Sequence, residues 1–216
     1  MDVLTRLDEQ RRAVNVLEHP FYERWSAGEL SADELSLYAG EYRHAVMALA
    51  QASVQAAESA GASERPGLLG HAEEEAAHVA LWEQFERAVG EPAPAEAPVQ
   101  TLTQTQTCVQ AWTAGEDLLE RLAVLYAIEA GQPEISATKL EGLACHYGFS
   151  EEGPATEYFR VHELRDVEHA REARALIEAL MADVEDPEEQ ADRMVSRASA
   201  ALHGNWLLLD GVEAGS

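Results

Sequence analysis

The sequence predicts an all-α fold, with one domain over residues 1–216 built as a bundle of seven helices. Three observations lead to this prediction. Apolar residues recur at steps of three and four along most of the chain, which is the period of a helix with one buried face. Helix start and stop signals separate these segments. No segment shows the two-residue alternation and hairpin turns that are typical of strands.

The first two helices are expected on either side of a short apolar segment. The first helix runs to about Leu17, and the segment HPFYERW follows a break at Pro20. Ser31 and Glu34 then form a capping box, in which each side chain accepts a hydrogen bond from the other's backbone. This box opens a long second helix that ends near Gly61.

A long connection separates the third helix from the fourth. Pro66 suits the first turn of the third helix, which meets its C-terminal signal at Gly90. Residues 91–106 hold three prolines and many small polar residues, a composition typical of a surface loop. A fourth helix is expected from about Thr107 to Glu129.

Three further helices complete the predicted bundle. A shorter fifth helix ends near His146, and Pro154 opens a long sixth helix. Asp186 and Glu189 have the spacing of an N-cap and its capping-box acid, and they begin a last helix that ends near Leu209.

Charge excludes two classes of partner. The chain has 15 Lys and Arg against 40 Asp and Glu, a net charge of −25. Such a chain repels phosphate backbones and anionic membranes, and it has no basic patch for either. No stretch approaches the roughly 18 apolar residues of a membrane span, and two cysteines are too few for a disulfide framework. We therefore expect a cytoplasmic protein that binds neither nucleic acid nor membranes.

The sixth predicted helix places ionisable residues on its buried face. His162, Asp166 and His169 lie at helical spacing between Tyr158 and Ala173, which belong in a core. An unpaired imidazole or carboxylate is costly to bury, so these side chains need a compensating partner. A single core histidine is usually a hydrogen-bonded packing residue, but two on one face with an aspartate between them indicate a site.

Two other helices show the same feature. In the third, Glu75 and His78 stand in line with Trp82, and in the fourth the apolar stripe through Leu125 ends at Glu129. Each has a plain alternative when taken alone, since acidic runs are commonly solvated and an acid at a helix end can point into solvent.

Together these positions predict a metal site. They supply only nitrogen and oxygen donors, which suit non-haem iron or manganese. Helical bundles build dinuclear carboxylate sites in this way, and Glu-x-x-His is a recurring element of them. The predicted ligands are Glu75, His78, Glu129, His162, Asp166 and His169.

Five segments carry a resemblance to a known family. They are HPFYERWSAGELS, EEEAAHVALWEQF, YAIEAGQPEISATKLEGLACHYGF, YFRVHELRDVEH and NWLLLDGVE. With them the chain resembles the haem-oxygenase-like diiron oxidases, which share the fold of TenA and PqqC proteins. The resemblance implies two bound irons, or an iron–manganese pair, held by the six residues above. In some members several residues separate the acidic pair from its histidine, so Glu74 is an alternative to Glu75 here, and His71 lies on the same side.

Within that family the chain is most similar to bacterial proteins that make para-aminobenzoate. The resemblance implies that Tyr22 supplies the ring and that Lys139 supplies the amino group, with Tyr38 and Tyr158 at further aromatic positions of the site. O2 and a reductant would be co-substrates, and the enzyme's own side chains would be the substrate. Lys139 is conspicuous in any case, because almost all basic residues of the chain are Arg.

Two other functions stay open from the sequence. The first is a diiron oxygenase that acts on a diffusible amine, amino acid or fatty acid. The second is a metal-free interaction or regulatory protein, which a strongly acidic surface could serve. A thiaminase-like role would need an activated cysteine, and neither Cys108 nor Cys145 has a context that provides one. A homodimer is a further expectation from this class of bundle.

Overall fold

The computed structural model describes residues 2–90 and 101–215. Within these ranges it has nine α-helices, one short 3₁₀ turn and no strand, so the all-α prediction is confirmed. The helices are α1 (Val3–Ala13), α2 (Pro20–Ala27), α3 (Ala32–Ser59), α4 (Arg65–Val89), α5 (Thr103–Trp112), α6 (Leu118–Glu129), α7 (Gln132–Cys145), α8 (Glu157–Met181) and α9 (Pro187–Gly215).

One additional helix lies in the segment HPFYERW. The first helix stops at Ala13 instead of Leu17, and after a 3₁₀ turn the segment forms α2. His19 caps it, because its Nδ1 accepts a hydrogen bond from the Phe21 backbone N–H at 3.0 Å. Pro20 sits at the first turn, where its missing N–H costs nothing. The proline therefore begins a helix here.

The other additional helix arises because the predicted fourth helix is divided. α5 ends at Trp112 and α6 begins at Leu118, with Gly115 between them at a φ of +148°, which only glycine adopts readily. Asp117 caps α6 by accepting a hydrogen bond from the Glu120 backbone N–H at 2.8 Å. The prediction of a single helix from Thr107 to Glu129 was thus wrong.

Other boundaries differ by smaller amounts. Of the predicted connection 91–106, residues 91–100 lie outside the described residues, and α5 already begins at Thr103. α8 begins at Glu157, one turn after Pro154, and α9 continues past Leu209 to Gly215. The capping box at the start of α3 is confirmed.

The packing of the helices determines where the site lies. α3 packs along α4, α9 lies against α5 and α6, and α8 contacts α4, α6 and α7. The carboxylates and imidazoles predicted as ligands project from α4, α6 and α8 into the space that these helices share. α2, α3, α4 and α8 carry aromatic side chains in the larger of two apolar cores, to which α7 adds Ile135 and Leu143. Among the described helices, none is long and apolar enough to cross a membrane.

Candidate metal centre

The structure brings all six predicted ligands together. Each of them is at most 7% exposed, and they fall into groups whose donor atoms lie within 4.8 Å of one another. The helical period explains this convergence, since residues three and four apart share one face. The groups are Glu75 with His78 and His162, Glu75 with Asp166 and His169, and His71 with Glu129 and His169.

Glu75 lies at the centre of the cluster. Its Oε1 is 3.1 Å from Nδ1 of His78 and 3.8 Å from Nδ1 of His169, and its Oε2 is 3.9 Å from Nε2 of His162. The carboxylate thus contacts imidazoles from its own helix and from α8. Glu75 therefore links the donors of α4 with those of α8.

His71 is a cluster residue that the predicted ligand set did not include. Its Nε2 lies 2.9 Å from Oε1 of Glu129, although the contact lacks hydrogen-bond geometry. The spacing of His71 and Glu75, four residues apart on α4, was the available signal, because such residues share a helix face. The structure therefore offers four imidazoles in place of three.

The buried donor atoms of the cluster are largely without hydrogen-bond partners. Seven nitrogen and oxygen atoms have none, on His71, Glu129, His162, Asp166 and His169. Buried polar atoms are nearly always hydrogen-bonded in proteins, so a concentration of unpaired ones needs an explanation. A bound cation would satisfy them. The donors are nitrogen and oxygen atoms only, which fits iron or manganese.

Two histidines are already oriented for this role. Nδ1 of His162 donates a hydrogen bond to the Tyr158 carbonyl at 2.7 Å, which leaves Nε2 facing the cluster. Nε2 of His169 lies 3.1 Å from Oε2 of Glu74, which leaves Nδ1 facing the cluster. Metal-binding histidines usually have such a partner on the second ring nitrogen.

Glu74 itself faces away from the cluster. Arg165 donates two hydrogen bonds to its carboxylate, at 2.7 and 2.5 Å. The Arg165 and His169 side chains lower the pKa of Glu74 to about 2 despite the opposing effect of burial. The structure therefore places Glu75, and not Glu74, among the other donors.

The electrostatics of the cluster also favour a cation. Burial raises the pKa of Glu129, with only partial relief from His71. Burial alone would lower the pKa of His169, but the Asp166 carboxylate and other acids raise it to about 9. In Glu75 the contacts with His162 and His78 outweigh burial, and the pKa falls. The carboxylates that crowd together in this cluster therefore favour the binding of a cation there.

A cavity of about 310 Å³ connects the cluster with the surface. His71, Glu129 and His169 line its inner end, and leucines of α4, α6 and α8 line its walls. A small neutral molecule could therefore reach the cluster from outside.

Lys139 lies in an aromatic enclosure next to the cluster. The side chain is 1% exposed, and its Nζ is 4.8 to 5.7 Å from the centres of the surrounding rings, those of Tyr22, Tyr38, Tyr42, Trp82 and Phe159. Burial lowers the pKa of the amine to about 7, and no charged group contributes to that shift. Burial therefore favours the neutral amine, which a surface lysine hardly forms near neutral pH.

The three tyrosines that the sequence singled out are all buried in the same region. Tyr22, Tyr38 and Tyr158 are at most 3% exposed, and burial raises the pKa of each phenol far above its ordinary value. The Tyr158 ring stacks on His162 with centroids 4.0 Å apart, and it meets Trp82 edge-on at 4.8 Å. Trp82 in turn contacts Tyr38 at 5.9 Å.

A close helix contact sets the distance between α2 and α7. A Cβ on Gly142 would lie 2.4 Å from Nε1 of Trp25, so only glycine fits there. Nε1 of Trp25 also donates a hydrogen bond to the Lys139 carbonyl at 3.3 Å. Because Trp25 lies one turn after Tyr22 and Gly142 one turn after Lys139, this contact brings the phenol and the amine together.

Comparison with known proteins agrees with these features. Residues 45–206 match the family described as iron-containing redox enzyme. The chain is 34% identical over 206 residues to the 4-aminobenzoate synthase of Chlamydia muridarum, an alignment that covers 92% of this chain and 87% of the relative.

Solved structures share the fold. A TenA homologue from Pseudomonas syringae superposes with a TM-score of 0.78 at 16% identity, over 98% of this chain and 93% of the other. A domain from Shewanella denitrificans with a haem-oxygenase-like fold gives a TM-score of 0.69 at 18% identity, over 99% and 89%. The expected haem-oxygenase-like fold is confirmed.

Proposed function

The chain belongs to the iron-containing redox enzyme family and is a metal-dependent oxidoreductase, and from that premise we propose that it makes 4-aminobenzoate from its own Tyr22 and Lys139. The relative from Chlamydia muridarum is named for that product. The proposal includes two iron ions, or one iron and one manganese, as the metal complement.

One observation carries this proposal. Nζ of Lys139 lies 5.5 Å from the centre of the Tyr22 ring, inside an enclosure that borders a cluster of unpaired metal donors. A lysine without a charged partner costs stability in such a place. Its burial there without a compensating charge supports a chemical role.

The atoms of the two side chains match the product. In tyrosine the hydroxyl is para to Cβ, and in 4-aminobenzoate the amino group is para to the carboxylate. The Cα–Cβ bond of Tyr22 would break, Cα would take up a hydrogen and become that of a glycine, and Cβ would be oxidised to the carboxylate carbon. The oxidised, quinonoid ring would condense with the Lys139 amine at the carbon that bears the oxygen and release that oxygen as water. The double bond would then shift to Cε, which restores the aromatic ring, and water would hydrolyse the Nζ–Cε bond and leave an aldehyde at Cε. O2 accepts the electrons that Cβ and Cε lose, and an external reductant supplies the others needed to reduce O2 to water.

The surrounding residues support these steps. The neutral form of the Lys139 amine is the nucleophilic one, and burial maintains that form. Tyr38 shares the enclosure of Lys139 with Tyr22. From Tyr38 a series of ring contacts through Trp82 and Tyr158 reaches His162, which offers a path for an electron from this region. The closed aromatic walls keep water away from the oxidised ring.

The proposed ligands are the seven clustered side chains. Iron bound there would supply O2 activation. Glu75 and Glu129 would supply carboxylate oxygens to the metal, while the Tyr158 carbonyl and Glu74 hold His162 and His169 in orientation. The resulting ligand set is His71, Glu75, His78, Glu129, His162, Asp166 and His169.

Isotope labelling tests the proposal. Protein produced with ring-¹³C tyrosine and ε-¹⁵N lysine is loaded with Fe(II), exposed to O2 and reductant in unlabelled buffer, and its 4-aminobenzoate is analysed by mass spectrometry. We expect both labels in the product. Unlabelled product formed from added small molecules would refute the origin in Tyr22 and Lys139.

The cavity at His71, Glu129 and His169 favours a second candidate, an oxygenase for a diffusible apolar substrate. Continued O2 consumption over many turnovers in Tyr22→Phe would support it. The family assignment leaves the metal-free interaction protein without support.

A further inference from the structure

A second cavity, of about 230 Å³, lies between the end of α1, the 3₁₀ turn and helices α6, α7 and α9. It is smaller than the roughly 300–1,000 Å³ of pockets for drug-sized ligands, so it suits a single ring. Its buried walls are apolar, with Trp112, Ile128 and Ile135 among them. None of the metal-cluster residues lines it.

The inner part of this cavity contains an unpaired hydrogen-bond acceptor. Asn205 lines the cavity and is 8% exposed, and its Oδ1 is buried without a hydrogen-bond partner. An unpaired buried acceptor costs about 1–3 kcal/mol. A ligand that donates an N–H or O–H at this point would remove that cost.

The outer part carries cationic groups. Arg11 and Arg12 lie at the opening, together with Glu18 and Glu134. Arg11 is used elsewhere, since it donates to the Ala130 carbonyl at 2.7 Å and pairs with Asp8 at 3.5 Å. Arg12 makes no ion pair within residues 2–90 and 101–215; its Nε donates only to the Asp8 carbonyl. Its guanidinium is therefore available to a carboxylate.

Tyr42 lies between a residue of this cavity and Lys139. The amides of Asn205 and Gln132 face the Tyr42 hydroxyl, and the centre of the Tyr42 ring is 4.8 Å from Nζ of Lys139. The aromatic enclosure and the cavity therefore have Tyr42 and Asn205 as neighbours in common.

We propose that this cavity binds the arylamine carboxylate product on its way out, with the amino group on Oδ1 of Asn205 and the carboxylate on Arg12. This inference rests on the proposed function for the identity of the ligand. A para-substituted ring has the required donor at one end and the anion at the other. A chain with a net charge of −25 offers few other places for an organic anion.

Equilibrium dialysis with radiolabelled 4-aminobenzoate tests the site in the full-length, iron-loaded chain kept free of O2. We expect saturable binding, and we expect Arg12→Gln to weaken it about tenfold, the typical effect of losing a charged hydrogen bond. Arg87→Gln is the matched control, because Arg87 is also exposed and without an ion pair in the described part of the chain. Its binding should equal that of the unmodified protein.

A ligand series locates the amino end without relying on a core substitution. Benzoate lacks the donor and aniline lacks the anion, so each should bind more weakly than 4-aminobenzoate. Arg12→Gln should weaken benzoate and leave aniline unchanged, while Asn205→Leu, where it folds, should weaken aniline and leave benzoate unchanged. Equal effects of Arg12→Gln and Arg87→Gln, or no saturable binding, would overturn the assignment.

The outcome is separable from that of the proposed function. Protein that forms labelled 4-aminobenzoate yet binds none at this cavity would refute the site alone. Protein that binds it through Arg12 and forms none would refute the proposed reaction and retain the site.

Discussion

Nζ of Lys139 on α7 lies 5.5 Å from the centre of the Tyr22 ring on α2, and aromatic rings enclose the amine on its other sides. Both side chains are at most 2% exposed. The chain thus buries a lysine beside a phenol in a region where neither has a charged partner, an arrangement that a purely structural core would not need.

Replacing Lys139 by Met should stabilise the metal-free protein. Burial lowers the pKa of this lysine from 10.5 to about 7, so the unfolded chain binds more protons between those values, and the wild-type protein gains stability as pH rises through that window. The free-energy cost of burying the charged Lys139 amine is complete below about pH 7 and disappears above about pH 10.5. Urea unfolding should show Lys139→Met to be about 2–5 kcal/mol more stable at pH 6.5 and the difference to be smaller at pH 9.5. An equal difference in stability at both pH values would show that burial does not lower the pKa of Lys139.

The sequence predicted much of the ligand cluster because helical spacing fixes which residues share a face. His162, Asp166 and His169 had to project together from α8, and Glu75 and His78 from α4. The same rule does not determine which side of α4 meets α8. The choice between Glu74 and Glu75 therefore required the packed structure.

The errors in the helix boundaries have local causes. Proline can end a helix but also suits a first turn, and Pro20 takes the second role. The polar run TAGED, with Gly115 at a positive φ, divides the apolar stripe that predicts one helix. The burial of Lys139 was not predictable from neighbouring residues, because the enclosing rings come from α2, α3, α4 and α8.

Neighbouring glutamates provide a matched test of the cluster. Glu75→Gln should lower iron affinity by more than the 10–100-fold typical of an outer partner, since its carboxylate lies among the donors. Glu74→Gln keeps an oxygen acceptor for His169 and should cost less than about tenfold. Anaerobic Fe(II) titration measures both. The reverse order would identify Glu74 as the ligand.

Iron loading should depend on α8. His162→Ala and Asp166→Ala should abolish bound iron, measured by metal analysis, while circular dichroism retains the helical signal. Nε2 of His162 and both Asp166 carboxylate oxygens have no hydrogen-bond partner to lose, and the one bond of His162, from Nδ1, is made to a carbonyl of its own helix. Glu163→Ala, on the same helix and outside the cluster, should load iron normally. Collapse of the helical signal in the first two variants would show that these residues are structural.

The contact between α2 and α7 should be sensitive to a single methyl group. Gly142→Ala forces Trp25 away from α7, so we expect a loss of about 1–3 kcal/mol and a lower yield of 4-aminobenzoate. Gly70→Ala on α4 meets nothing within 4 Å and should be neutral or stabilising by about 0.5–1 kcal/mol. Thermal unfolding and product analysis measure the two effects. Normal yield from Gly142→Ala would show that the spacing of α2 and α7 does not control the reaction.

The intact mass of the protein tests the central claim most directly. Protein loaded anaerobically with Fe(II) is measured, with peptide mapping, before and after a single exposure to O2 and reductant. We predict mass changes at Tyr22 and Lys139 alone, with the larger loss at Tyr22, and 4-aminobenzoate in the supernatant. An unchanged mass in protein that holds iron and consumes O2 would contradict the claim and point to an external substrate.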